Sequence, residues 1–139
     1  MFWRYHQIDA RTAQRLTKIS SLQTLVLTHH GRKSDKPYDV VIWFVVSGDR
    51  MFLVTANKNR NWVRNVLIKP NVILKAGGET FPATLAEITD SAERERVRNL
   101  IQSKYWYVMP VLVTARVLQG MGLLKDVSSA FEVGFDASA

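Results

Sequence analysis

Cysteine is absent from this chain of 139 residues, which excludes disulfides and thiolate metal sites. No segment reaches the roughly 18 unbroken apolar residues of a membrane-spanning helix. The opening stretch MFWRYHQIDARTAQRL is interrupted by charge and lacks the apolar block of a secretory signal, so a cytoplasmic address is expected. Repeats, linkers and low-complexity tracts are missing. So is any nucleophile system: there is no G-x-S-x-G elbow, and neither His29 nor His30 has a carboxylate partner in sequence. No catalytic acid, base or nucleophile is therefore expected. Acids are scarce, 12 against 19 lysines and arginines, which leaves a formal net charge of +7 and a pI near 10.0. Such an excess attracts something anionic, whether nucleic acid, a membrane surface or a phosphorylated small molecule.

What is present is an ordinary globular composition, 47% hydrophobic and 22% charged, in one domain spanning residues 1–139. Helical spacing of Ile8, Ala13, Leu16 and Ile19 predicts a first helix, with Asp9 as its cap. SLQTLVLTHH reads as a strand, residues 31–37 as a turn, YDVVIWFVV as an almost continuously apolar strand, and SGDR as a tight turn into MFLVTA. A short helix follows, ended by Pro70, with Trp62, Val66 and Leu67 facing inward. VILKA and TFPATLAEI are paired strands around Gly77-Gly78, and Pro82 marks an edge or a bulge. TDSAERERVRNLIQSKYW predicts a helix capped by Asp90 or Ser91, with Glu93 and Glu95 as first-turn charge. A further apolar helix is expected over 110–124, and AFEVGF as a last strand. The class is mainly β with appended helices: five or six antiparallel strands of the kind that close into a barrel.

His29 and His30 attract a metal hypothesis, but neighbours on a strand point to opposite faces and cannot chelate one ion together. No metal site is expected. Arg32, Lys33 and Lys36, taken alone, are the charges of a solvated turn. A second basic segment, residues 57–69, carries Lys58, Arg60, Arg64 and Lys69 without an acid, and Asn57, Asn59 and Asn61 crowd ahead of the helix start. Backbone N–H groups, amides and guanidinium forks there are a candidate phosphate cradle, with both loops at one end of the sheet. Nucleic-acid binding is not expected, because Trp43, Phe44 and Phe52 lie inside apolar runs instead of forming an exposed stacking platform. Tyr105, Trp106 and Tyr107 either pack a helix against the barrel or form a ring-stacking lid. The helix at 110–124 could rest on a membrane surface or a partner subunit, with only Arg116 in its favour.

The order of these motifs resembles the split β-barrel flavin-binding proteins of the pyridoxamine-phosphate-oxidase-like superfamily. Among them it is most similar to the deazaflavin-dependent nitroreductase family, the flavin/deazaflavin oxidoreductases. The resemblance runs over residues 25–105. It rests on LTHHGRKSDKP against a strand followed by G-R-K-x-G-x-P, on the hairpin WFVVSGDRMFLVTA, and on NWVRNVLIKPNV against W-x-x-N-L-x-x-x-P-x-V. It implies a split barrel, usually a homodimer, binding the deazaflavin coenzyme F420 or FMN near a subunit interface. It further implies hydride transfer from the reduced cofactor to a small acceptor such as a quinone or nitro compound, or else a non-catalytic protein of the same fold holding a flavin, haem or lipid-like ligand. Carried over by position, Arg32, Lys33, Lys36, Lys58 and Arg60 would meet the cofactor's phosphate or acidic tail. Ala56, Asn57, Trp62 and Asn65 would flank its ring or phosphate, and Tyr105 and Tyr107 would shape the substrate side. Three departures stand out: Asp35 replaces a glycine, Tyr38 replaces an arginine, and the loop 58–62 is short and lacks Gly-Gly.

Overall fold

The computed structural model describes residues 10–55, 60–105 and 129–135. Its elements, in chain order, are α1 (Ala10–Ile19), β1 (Thr24–His30), β2 (Pro37–Ser47), β3 (Arg50–Thr55), α2 (Asn61–Ile68), β4 (Asn71–Ala76), β5 (Glu79–Glu87), α3 (Ser91–Tyr105) and β6 (Ser129–Phe135). The six strands form a closed antiparallel barrel in the order β1-β2-β3-β6-β5-β4, with β4 returning to β1. The expected meander of β1 to β3 is there, and AFEVGF is the strand that bridges β3 and β5. Asp9 and the segment 106–128, which includes the helix expected over 110–124, lie outside the described residues.

Period-two alternation explains the core. Leu25, Leu27, Ile42, Phe44, Met51, Leu53, Leu74, Phe81, Phe131 and Val133 point into the barrel. The intervening residues Val45, Phe52, Val54 and Ala130 face outward, and α3 covers them with Val97, Ile101 and Tyr105. The β2–β3–β6 wall is thus buried on both sides, which is why the sequence there reads as unbroken apolar runs. Leu16 and Ile19 of α1 and Trp62, Val63 and Val66 of α2 join the interior cluster. Leu67 does not face inward as expected. At 100° per residue the buried stripe runs through Trp62, Val63, Asn65 and Val66, which leaves Leu67 and Ile68 exposed.

The turns have the chemistry their geometry demands. Gly77 and Gly78 both have positive φ and close the two-residue β4–β5 hairpin. Pro82 sits in a strand with neighbours on both sides. It pairs with Ile73 of β4, while the described register with β6 begins one residue later at Ala83, so the missing N–H interrupts no described β5–β6 pair. Asp90 is the cap of α3: its Oδ2 accepts the Glu93 N–H at 2.8 Å. Asp90→Ala is expected to lower stability by about 1 kcal/mol in a urea titration. An unchanged midpoint would mean that the cap contributes nothing to the docked helix. Among the described residues no helix is long and apolar enough to cross a membrane.

Candidate functional site

The end of β1, the turn 31–36, the start of β2 and the N-terminus of α2 enclose a cleft of about 780 Å³. Arg32, Lys33 and Ser34 line it from the turn, His29 from β1, Tyr38, Asp39 and Val40 from β2, and Arg60, Asn61, Trp62 and Asn65 from the α2 side. The turn and the described part of the second basic segment, from Arg60 onward, meet at this cleft. Closure of the barrel brings them together, because β4 follows α2 and pairs with β1.

Asn65 joins the two segments. Its Oδ1 accepts the backbone N–H of Arg32 at 3.1 Å and the Arg32 Nη1 at 2.7 Å. Its Nδ2 lies 3.1 Å from His29 Nδ1. Asn65 is buried on the inner face of α2, and this hydrogen-bonding pattern accounts for a polar side chain there. At the far end of α2, Lys69 Nζ bonds Asp35 Oδ1 at 2.8 Å, which ties the turn to the helix a second time and occupies one of the expected cations. Lys69 in turn holds the Asp35 carboxyl below its ordinary range.

Among the described residues the cations that line the cleft are Arg32, Lys33 and Arg60. Arg60 is the N-cap of α2 in extended conformation and provides no side-chain cap, and the first turn holds no acid. The positive end of the helix therefore opens beside the cations. Opposite them the wall changes character. Tyr38 packs across the strand pair against the His29 ring, with centroids 5.8 Å apart. Thr28 Oγ1 donates to Asp39 Oδ1 at 2.6 Å. His29 is 4% exposed, and burial, aided by the adjacent His30, holds its imidazole below the usual value against the pull of Asp39.

The expected site residues thus divide. Arg32, Lys33, Arg60, Trp62 and Asn65 converge on the cleft. Trp62 does so while 3% exposed, packed at 5.6 Å on Phe131 in the barrel. Lys36 does not line the cleft; its backbone closes the turn through Gly31 and Ser34. Tyr105 lies in the α3 core, stacked on Trp43 at 4.1 Å with its hydroxyl bonded to the backbone of Phe44 and Gln23. Ala56, Asn57, Lys58 and Tyr107 lie outside the described residues. Sequence reasoning missed His29 as a cleft residue, although period two already placed it on the inner face with Leu25 and Leu27. It also missed Asp39, the carboxylate that the β1–β2 register brings near that histidine.

Asp35 explains its own departure from the glycine pattern. Its φ is +62°, the left-handed conformation that glycine adopts freely and that aspartate tolerates better than most residues. Its ion pair with Lys69 is at the surface and contributes little. Asp35→Gly is expected to raise the thermal midpoint; a lowered one would show that the Lys69 contact outweighs the backbone strain.

A model of the F420H2-dependent quinone reductase family matches residues 1–109. No curated protein matches the chain. Among solved structures, an F420-H2 dependent reductase (FDR-A) aligns at 21% identity and TM-score 0.57, over 81% of this chain and 94% of that one. A protein from Listeria innocua assigned as a pyridoxamine 5'-phosphate oxidase aligns at 15% identity and TM-score 0.63, over 91% and 94%. A third, described as a domain-swapped dimer, aligns at 20% identity and TM-score 0.59, over 88% and 93%. At these identities the structural likeness establishes the split-barrel fold.

Proposed function

The chain belongs to the F420H2-dependent quinone reductase family, and from that membership together with the cleft we propose that it reduces a quinone-type acceptor with reduced coenzyme F420. One observation carries the reading: Arg32, Lys33, Arg60 and the uncapped start of α2 share a single cleft with the apolar surfaces of Tyr38, Val40 and Trp62. The donor set fits the coenzyme. Guanidinium and ammonium groups beside a helix N-terminus suit a phosphate and an acidic tail, and the adjoining aromatic and aliphatic wall suits a flat ring.

When bound, the reduced coenzyme supplies a hydride to the acceptor. The residues of this chain bind and orient. Arg32 and Lys33 hold the anionic end, and Asn65 keeps Arg32 in place through two hydrogen bonds. Tyr38, Val40 and Trp62 cover the ring and keep water from it. Lys58, Asn57 and Ala56 belong to the same proposal as the continuation of the cradle, and Tyr107 as part of the acceptor side. A cytoplasmic homodimer completes the proposal. The likeness to a domain-swapped dimer supports the dimer.

The test is turnover. Purified protein given reduced F420 and a quinone is expected to oxidise the coenzyme at a rate that saturates in both. The same assay with FMN and a nicotinamide donor, and with a nitroaromatic acceptor, fixes which cofactor and acceptor it prefers. Absence of turnover with every pairing would overturn the enzymatic reading.

A further inference from the structure

The hydrogen bonds around Asn65 determine the chemical state of His29. An amide carries one acceptor oxygen and one donor nitrogen, and which is which is normally assigned by its partners. Here both atoms reaching Oδ1, the Arg32 backbone N–H and Arg32 Nη1, can only donate. The oxygen must therefore be where they converge, and the nitrogen must face His29 Nδ1. A donor aimed at Nδ1 requires a lone pair there. The remaining ring proton is then on Nε2, and the imidazole is neutral. Among the described residues Nε2 has no hydrogen-bond partner, yet it is not among the sealed, unsatisfied polar atoms. It is therefore open to the space that His29 lines, which is the cleft.

We propose that His29 is a ligand-contacting, specificity-determining residue, a neutral Nε2–H donor fixed by Asn65 that binds an acceptor oxygen of the ligand between the cations and Tyr38. Asn65 is its positioning residue. The inference rests on the cleft being the coenzyme site. It adds that one wall recognises oxygen through an uncharged donor and not through charge. Arg32, Lys33 and Arg60 bind anions over a range of positions, whereas a buried imidazole held on one side by Asn65 and packed against Tyr38 donates in one direction. The oxygen is a phosphoryl or a carbonyl oxygen.

Two measurements on the full chain test the proposal. Long-range nitrogen–proton correlation spectra at neutral pH are expected to show His29 as the neutral Nε2–H tautomer. In Asn65→Asp, which still accepts from Arg32 but turns an oxygen toward Nδ1, the spectra are expected to switch to a form protonated at Nδ1. A wild-type spectrum protonated at Nδ1, or no switch in the variant, would overturn the assignment. Titration with F420 is expected to show roughly tenfold weaker binding for His29→Phe, about 1.4 kcal/mol. His29→Gln, whose amide retains a donor and an acceptor, is expected to regain most of that loss. Parallel titrations with inorganic phosphate and with the phosphate-free deazaflavin identify the oxygen, since the loss will follow the probe that carries it. If the wild type binds F420 and His29→Phe binds it equally well, the His29 role falls alone. If the wild type does not bind F420, the cleft assignment falls and the His29 role with it.

Discussion

Arg50→Ala is expected to cost about 3–5 kcal/mol of stability. Arg50 opens β3 and grips Glu132 of β6 with two parallel bonds, Nε to Oε2 and Nη2 to Oε1, each 2.9 Å. Its Nη2 also reaches Glu93 Oε2 in the first turn of α3 at 3.0 Å. The guanidinium lies over the Phe52 ring, 4.9 Å from its centroid. One side chain thus joins two strands and the helix that covers them. Glu132 is the group at risk, because its side chain is 5% exposed on the face that α3 buries. Without Arg50 a carboxylate is left sealed and unpaired, and it must protonate or draw in water. A matched replacement avoids that penalty. Arg50→Met with Glu132→Leu removes both charges, and a urea titration is expected to find the double variant more stable than Arg50→Ala alone. A loss under 1 kcal/mol for Arg50→Ala would show that Glu132 is not held as described.

The second large effect concerns binding. Arg32→Ala is expected to weaken F420 affinity by at least tenfold, in keeping with loss of a charge-assisted hydrogen bond of about 1.5–3 kcal/mol. Arg32 stands at the junction of the turn and α2, with its Nη1 spent on Asn65 and its other guanidinium donors free to turn toward the ligand. Arg32→Lys is expected to restore little. An ammonium group carries the charge but cannot both bond Asn65 and fork onto a phosphate in one plane. The backbone N–H of residue 32 still reaches Asn65 in either variant, so the thermal midpoint of the empty protein is expected to hold nearly constant. A midpoint that drops together with affinity would assign Arg32 to folding instead of binding.

These two residues also show which parts of the molecule can be read from the chain alone. Strands, hairpins and the Asp90 cap were legible because their signals are local: alternation, Gly-Gly, and an aspartate three residues ahead of the N–H it accepts. The barrel was legible in outline, since five or six antiparallel strands joined in this order commonly close. The Arg50–Glu132 grip was not, because its partners are 82 residues apart and nothing in the neighbourhood of either names the other. The cleft was half legible. Two basic segments could be seen, but only closure of β4 onto β1 sets Asn65 against Arg32. Lys69 looked like part of the cradle and is occupied by Asp35, the residue that broke the glycine pattern. Tyr105 read first as packing and second as a lid, and the structure places its hydroxyl on the backbone of Phe44. The histidine pair read as one inward and one outward, yet the value of His29 as a donor depends on an amide orientation that only the Arg32 contacts fix.

The central claim is that the turn 31–36 and the start of α2 form the anion-binding end of a coenzyme site. Titration of the full chain with F420 at low and high salt, for the wild type and for Lys33→Ala, tests it most directly. Saturable binding that weakens with salt and weakens again in Lys33→Ala is the predicted result, since exposed cations act through a screened field. Binding that ignores both salt and Lys33, or no binding at all, would contradict it.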